Sequence, residues 1–282
     1  MNNILIPNPK KLEEKIESFR KNGGDFICIL SSFDKTLTHV FLDGKKIPSL
    51  IYHLREGKYL SEEYSKKASE LYEKYHPIEI DPDLDIETKR GKMSEWWHTH
   101  YDILIKCGMK KSILEDLVSK EKVNFREGAL EFLAKTKEYG IPVVIMSSDG
   151  IGDAIPMFLE QKDSLHKNIH IISNKFIFDN SGDAVGVEEP VIHPYNKNSS
   201  TIKQLPIYKE LAKRKNILLM GDSTDDLEMA NRLPYDEIIK IGFFRGETEE
   251  SKKNFEKNFD IIITNDGDMK YINDLLKKIL RK

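Results

Sequence analysis

Three apolar runs, each closing on a cluster of hydroxyl residues and aspartates, constrain the fold of this 282-residue chain more than anything else in it. The first, Phe26-Ile27-Cys28-Ile29-Leu30, leads into Ser31-Ser32-Phe33-Asp34-Lys35-Thr36-Leu37-Thr38. The second, Ile141-Pro142-Val143-Val144-Ile145-Met146, closes on Ser147-Ser148-Asp149-Gly150. The third, Asn216-Ile217-Leu218-Leu219-Met220, closes on Gly221-Asp222-Ser223-Thr224-Asp225-Asp226. Runs that are apolar at nearly every position suit strands buried on both faces, as in parallel sheets covered by helices. Parallel strands share one carboxyl edge, so the three clusters are expected to meet in one crevice, where open α/β sheets bind their ligands.

The rest of the chain supplies the helices such a sheet needs. Apolar spacing predicts helices over 8–21, 127–139, 151–159, 208–215, 226–233 and 269–280, and strands at 169–172, 176–178, 238–241 and 261–263. Asp43-Gly44 reads as the turn of a short hairpin. From 49 to about 122 the pattern is purely helical. One helix is marked by Leu60, Tyr64, Ala68, Leu71, Tyr72 and Tyr75. A second carries Met93, Trp96, Trp97, His100, Tyr101, Leu104 and Ile105, and a third Ile113, Leu114, Leu117 and Val118. The expected fold is α/β, a doubly wound parallel sheet, with residues 1–44 and 123–282 as core and 45–122 as an inserted helical cap.

Net charge is −3 with both signs interspersed, which implies no pull toward a nucleic acid polymer or a membrane. An anionic substrate therefore needs a local positive site. The two cysteines, Cys28 and Cys107, have no metal-type spacing and fit a reduced compartment. Neither a secretory leader nor an apolar run near the ~18 residues of a membrane span is present, so a cytoplasmic protein is expected.

Crowded carboxylates repel one another unless a cation sits among them, and hard oxygen donors with water access suit Mg²⁺. A Ser-Gly loop opening onto a helix suits a phosphate. Lys197, in His193-Pro194-Tyr195-Asn196-Lys197, is the candidate point charge on phosphoryl oxygens. His98 and His100 lie two apart on a helix and make a poor metal pair.

These clusters resemble the four motifs of the haloacid dehalogenase-like phosphohydrolases, and in detail the cytosolic pyrimidine 5′-nucleotidase (type III) family. The likeness rests on Ser32-Phe33-Asp34-Lys35-Thr36-Leu37-Thr38, Ser148-Asp149-Gly150-Ile151-Gly152-Asp153, Ile192-His193-Pro194-Tyr195-Asn196-Lys197 and Gly221-Asp222-Ser223-Thr224-Asp225-Asp226-Leu227. It extends to Glu73-Lys74-Tyr75-His76-Pro77-Ile78-Glu79-Ile80-Asp81-Pro82, Met93-Ser94-Glu95-Trp96 and Ile239-Lys240-Ile241-Gly242. The resemblance implies a haloacid dehalogenase-like core and Mg²⁺-dependent hydrolysis of nucleoside 5′-monophosphates such as UMP and CMP. It makes Asp34 the general acid and, through its carbonyl, a metal ligand. Asp222 becomes a metal ligand with Asp226 behind it, and Lys197 neutralises the phosphoryl group. Either Ser147 or Ser148 holds that group, depending on whether alignment runs from the strand or back from Gly150, with Ser148 preferred. Glu95 and Trp96 fall on the nucleoside side. The family's nucleophilic aspartate falls at Ser32, a serine here, which implies bound nucleotide but slow turnover.

Overall fold

The computed structural model describes residues 3–42, 44–47, 49–56, 59–81, 83–120, 124–246 and 248–280. Its strands are β1 (Ile4–Leu5), β2 (Ile27–Ser31), β3 (Phe41–Leu42), β4 (Lys45–Lys46), β5 (Val143–Met146), β6 (Ile169–Ile172), β7 (Phe176–Phe178), β8 (Ala184–Val187), β9 (Asn216–Gly221), β10 (Glu237–Phe243) and β11 (Ile261–Ile263). The helices are α1 (Pro9–Asn22), α2 (Leu50–Arg55), α3 (Glu62–Ile80), α4 (Ile86–Lys106), α5 (Lys111–Lys120), α6 (Ala129–Glu138), α7 (Ala154–Glu160), α8 (Ser199–Ile202), α9 (Tyr208–Leu211), α10 (Glu249–Asn258) and α11 (Lys270–Leu280).

Among the described residues seven strands form the main sheet, in the order β1-β11-β10-β9-β2-β5-β6. From β11 to β6 every pairing is parallel. The doubly wound parallel sheet expected is thus present, with one addition, the edge strand β1, which runs antiparallel to β11 and whose two residues are too few to show a period. Register is tight at the centre, where Leu30 of β2 lies beside Val144 on one side and Leu219 on the other.

Alternate residues serve opposite faces, as the pleat requires. Ile27, Ile29, Val143, Ile145, Leu218 and Met220 pack with Phe19, Phe132 and Leu276 of α1, α6 and α11. Cys28, Leu30, Val144, Met146, Ile217 and Leu219 pack with Ile202 and Leu211 of α8 and α9. Both faces are therefore covered, which is why these strands carry no polar stripe. The helical stretch α2–α5 has its own cluster, in which Tyr64, Leu104, Leu114 and Leu117 meet Ala154 and Phe158 of α7 and Phe176 and Ala184 of the β7–β8 hairpin.

Several local expectations are corrected. The helix over 208–215 shortens to α9, and that over 226–233 is a tight 3₁₀ turn, Thr224–Ala230. The strands flanking Asp43-Gly44 form, while Asp43 itself lies outside the described residues.

Candidate active site

From β2 the chain proceeds to β5 and β6 on one side, then to β9, β10 and β11 on the other. The order reverses at β2, and the gap between its diverging connections is where such sheets hold a ligand. A cavity of about 550 Å³ opens there, lined by residues 32–35, 147–151, Lys197, Asp222, Asp226 and Arg245 among others. Seven of the sequence-derived candidates thus share one wall: Ser32, Asp34, Ser147, Ser148, Lys197, Asp222 and Asp226.

At the end of β2 the Ser32 amide donates to Met220 O at 3.0 Å, continuing the ladder and pinning the serine on the sheet edge. Lys197 reaches it from across the switch point: its Nζ donates to Ser32 Oγ at 2.8 Å and to Asp226 Oδ1 at 2.7 Å. The lysine is 6% exposed, so this ammonium is buried and needs that carboxylate. Local turn chemistry presents it. His193 and Asn196 cap the turn Pro194–Asn196 reciprocally, fixing the chain one residue before Lys197.

Asp226 is held with equal economy. Its Oδ2 accepts from the amides of Asp222 at 2.9 Å and Ser223 at 3.2 Å, in a capping box. Gly221 allows this approach, because a Cβ there would stand 2.5 Å from Asp226 Oδ2. Asp222 faces the cavity, and its carboxylate meets Arg245 Nη2 at 3.1 Å.

Asp34 Oδ2 accepts a long 3.4 Å hydrogen bond from Ser147 Oγ, which in turn accepts from the Asp149 amide at 3.1 Å. Burial, and then the charge of Asp149, push the Asp34 carboxyl up to about 7, and burial also raises Asp149. Asp222 is raised by burial and by Asp226. An acid that keeps its proton near neutrality suits general acid work. The same crowding marks an excess of negative charge. Ser147 is 3% exposed and committed to Asp34, whereas Ser148 is half-buried and faces the cavity.

Glu95 and Trp96 are not brought to this wall. Glu95 is turned to Tyr75, whose hydroxyl donates at 2.6 Å, and to Lys92 at 2.9 Å. Trp96 stacks behind the cavity on Tyr75, with centroids 5.7 Å apart. Their neighbour Trp97 lines it instead, together with Tyr72, His76 and Glu79 from α3. One turn separates Tyr72 from His76, and the rings stack at 4.6 Å. Sequence reasoning also missed Arg245, which shares no cluster with the other candidates.

Among the described residues no group of three or more His, Cys, Asp or Glu is arranged to hold a metal ion, and no helix is long and apolar enough to cross a membrane.

Comparison with known proteins places the chain in a family. The family model described as pyrimidine 5′-nucleotidase (UMPH-1) matches residues 35–280. The 7-methylguanosine phosphate-specific 5′-nucleotidase of Rattus norvegicus is 34% identical, over 99% of this chain and 93% of its own. A putative cytosolic 5′-nucleotidase 3 of Caenorhabditis elegans is 31% identical over 93% of this chain and 72% of its own. The crystal structure of cytosolic 5′-nucleotidase IIIB bound to cytidine matches with a TM-score of 0.89 at 30% identity, covering 99% of this chain and 94% of that one. A phospho-aspartyl intermediate analogue of phosphoserine phosphatase, at 16% identity and a TM-score of 0.51, shares the fold alone. The chain therefore belongs to the pyrimidine 5′-nucleotidase (UMPH-1) family, phosphohydrolases built on the haloacid dehalogenase-like α/β fold.

Proposed function

We propose that this protein hydrolyses nucleoside 5′-monophosphates to nucleoside and phosphate with Mg²⁺, in the cytosol, with UMP and CMP as the first substrates to test. The supporting observation is that Ser32, Asp34, Ser148, Lys197 and Asp222 line a single cavity at the sheet's switch point, of a size suited to a small ligand. On this reading residues 1–44 and 123–282 carry the phosphate chemistry, and the helices of 45–122 cover the nucleoside.

Each side chain has a task in that reaction. Lys197 and the hydroxyl of Ser148 hold the phosphoryl oxygens, the lysine as a buried point charge. Asp34 gives its proton to the 5′ oxygen as its bond to phosphorus breaks, and takes one back from the attacking hydroxyl, of Ser32 or of water, whose oxygen forms the new bond to phosphorus, as a carboxyl raised to about 7 allows. Ser32 stands where the attacking group belongs, but its oxygen already accepts from the Lys197 ammonium, which weakens it as a nucleophile. Turnover is accordingly slow relative to binding.

The donor set fits Mg²⁺ in its usual manner, with one or two carboxylates, substrate phosphate and retained waters. Asp222 and the Asp34 carbonyl would hold it, Asp226 fixing Asp222 from behind, and the raised carboxyls at this wall mark the charge a dication relieves. When bound, the ion supplies electrophilic stabilisation of phosphoryl charge.

The nucleoside would lie against Trp97, Tyr72 and His76, flat faces that suit a pyrimidine ring. The same faces, with the Glu79 carboxylate among them, also suit a cationic base such as 7-methylguanine, the base named for the Rattus norvegicus relative. Phosphate release from UMP, CMP and 7-methylguanosine monophosphate, each with Mg²⁺ and with EDTA, tests the proposal. Release from at least one nucleotide that stops with EDTA is expected. A panel in which no nucleotide is bound or hydrolysed would defeat it.

A further inference from the structure

We propose that Arg245 is a resident counter-ion of Asp222, which a divalent cation has to displace and which thereby couples metal binding to phosphate binding. This rests on the metal and phosphate roles given above. Arg245 stands two residues beyond β10 and reaches the cavity wall from its rim. Its Nη2 lies 3.1 Å from Asp222 Oδ2, and its side chain is 37% exposed against 14% for the aspartate. The main chain at Asp222 is pinned, since its amide donates to Asp226 Oδ2 at 2.9 Å, while the arginine side chain is the more exposed partner of the pair.

The neighbouring cations make the exchange directional. Lys197 is already committed to Asp226 and Ser32, both buried. On the reading above Asp222 is the side-chain carboxylate offered to the metal, beside the Asp34 carbonyl. That carboxylate oxygen has a guanidinium on it. Two cations on one carboxylate repel, so a metal at Asp222 competes with Arg245. A phosphate seated beside Lys197 offers the guanidinium a doubly charged, bidentate partner in exchange. Phosphate thus draws Arg245 away and opens Asp222, and by linkage the metal raises phosphate affinity by the same factor.

Calorimetric titration of Mg²⁺ into the full-length protein, alone and with saturating inorganic phosphate, tests this without any turnover. For Arg245→Gln, Mg²⁺ alone is expected to bind roughly tenfold tighter than to wild type, in the lower part of the usual range for coupled sites. The gain in Mg²⁺ affinity produced by phosphate should shrink in the same variant. Arg245→Lys, which keeps the charge, should stay near wild type. Mg²⁺ affinity that is unchanged or weaker in Arg245→Gln, with an unfolding midpoint equal to wild type, overturns the proposal. Asp222→Asn separates the two layers: Mg²⁺ binding that survives it defeats the metal site itself, whereas its loss beside an unaltered Arg245→Gln defeats the counter-ion alone.

Discussion

Glu95 and Trp97 are two residues apart on α4, about 200° around the helix, and so meet different surroundings. The Tyr75 hydrogen bond, reinforced by Lys92, holds the Glu95 carboxyl down at about 2, a group engaged by its own helix pair on the solvent side. Trp97 packs against the phosphate loop, so closely that a Cβ on Gly150 would stand 2.8 Å from its Cζ3. The nucleoside side is therefore expected to respond to the tryptophan. Trp97→Ala should weaken UMP binding by about tenfold or more, since a stacked base is worth ~1–3 kcal/mol, while inorganic phosphate binding stays within about twofold. Glu95→Ala should leave both nearly unchanged. Calorimetry on the two variants decides, and a larger loss of UMP affinity in Glu95→Ala than in Trp97→Ala contradicts the assignment.

Among elements, the turn after β2 depends on a brace from far along the chain. Lys35 takes a left-handed conformation, φ 60°, immediately after Asp34. Arg126, entering α6, donates to Lys35 O at 2.7 Å, Thr36 O at 2.9 Å and Gly267 O at 2.7 Å. It pairs with Asp266 at 2.9 Å and lies over the Phe243 ring at 4.4 Å. Asp266 in turn accepts from the amides of Val40 and Phe41. Removing one partner of a buried pair leaves the other charge uncompensated, which commonly costs ~3–5 kcal/mol. Arg126→Ala should lose about that much in urea unfolding. A loss below about 1 kcal/mol would mean that the turn holds without the brace. None of this was legible in the sequence, where Arg126 is one charge among many and its partners lie 90 and 141 residues away. Lys197, by contrast, could be singled out because the turn that presents it is written in five consecutive residues.

For the whole molecule, what could be read early was what local chemistry determines. β2, β5 and β9 announce themselves as apolar runs because both faces are covered, and the clusters after them follow from parallel direction alone. α10 was missed because it buries only Phe255 and is otherwise polar, and β8 because Ala184-Val185-Gly186-Val187 is a short run weakened by an alanine and a glycine. The cavity's aromatic side needed tertiary structure: α3 and α4 each carry more rings than face it. In the proposed reaction turnover draws on all these parts and hinges on Ser32. A carboxylate at position 32 would form an acyl phosphate that leaves readily, and it would also add a negative charge to the wall where Mg²⁺ is proposed to bind. Phosphate release at saturating UMP and Mg²⁺, compared for wild type, Ser32→Asp and Ser32→Ala, is the most direct test. Slow wild-type release and a Ser32→Asp rate higher by ~10³ or more is the predicted result, the scale on which a member of a catalytic unit commonly acts. Brisk wild-type release that Ser32→Asp does not improve and Ser32→Ala does not abolish would contradict it.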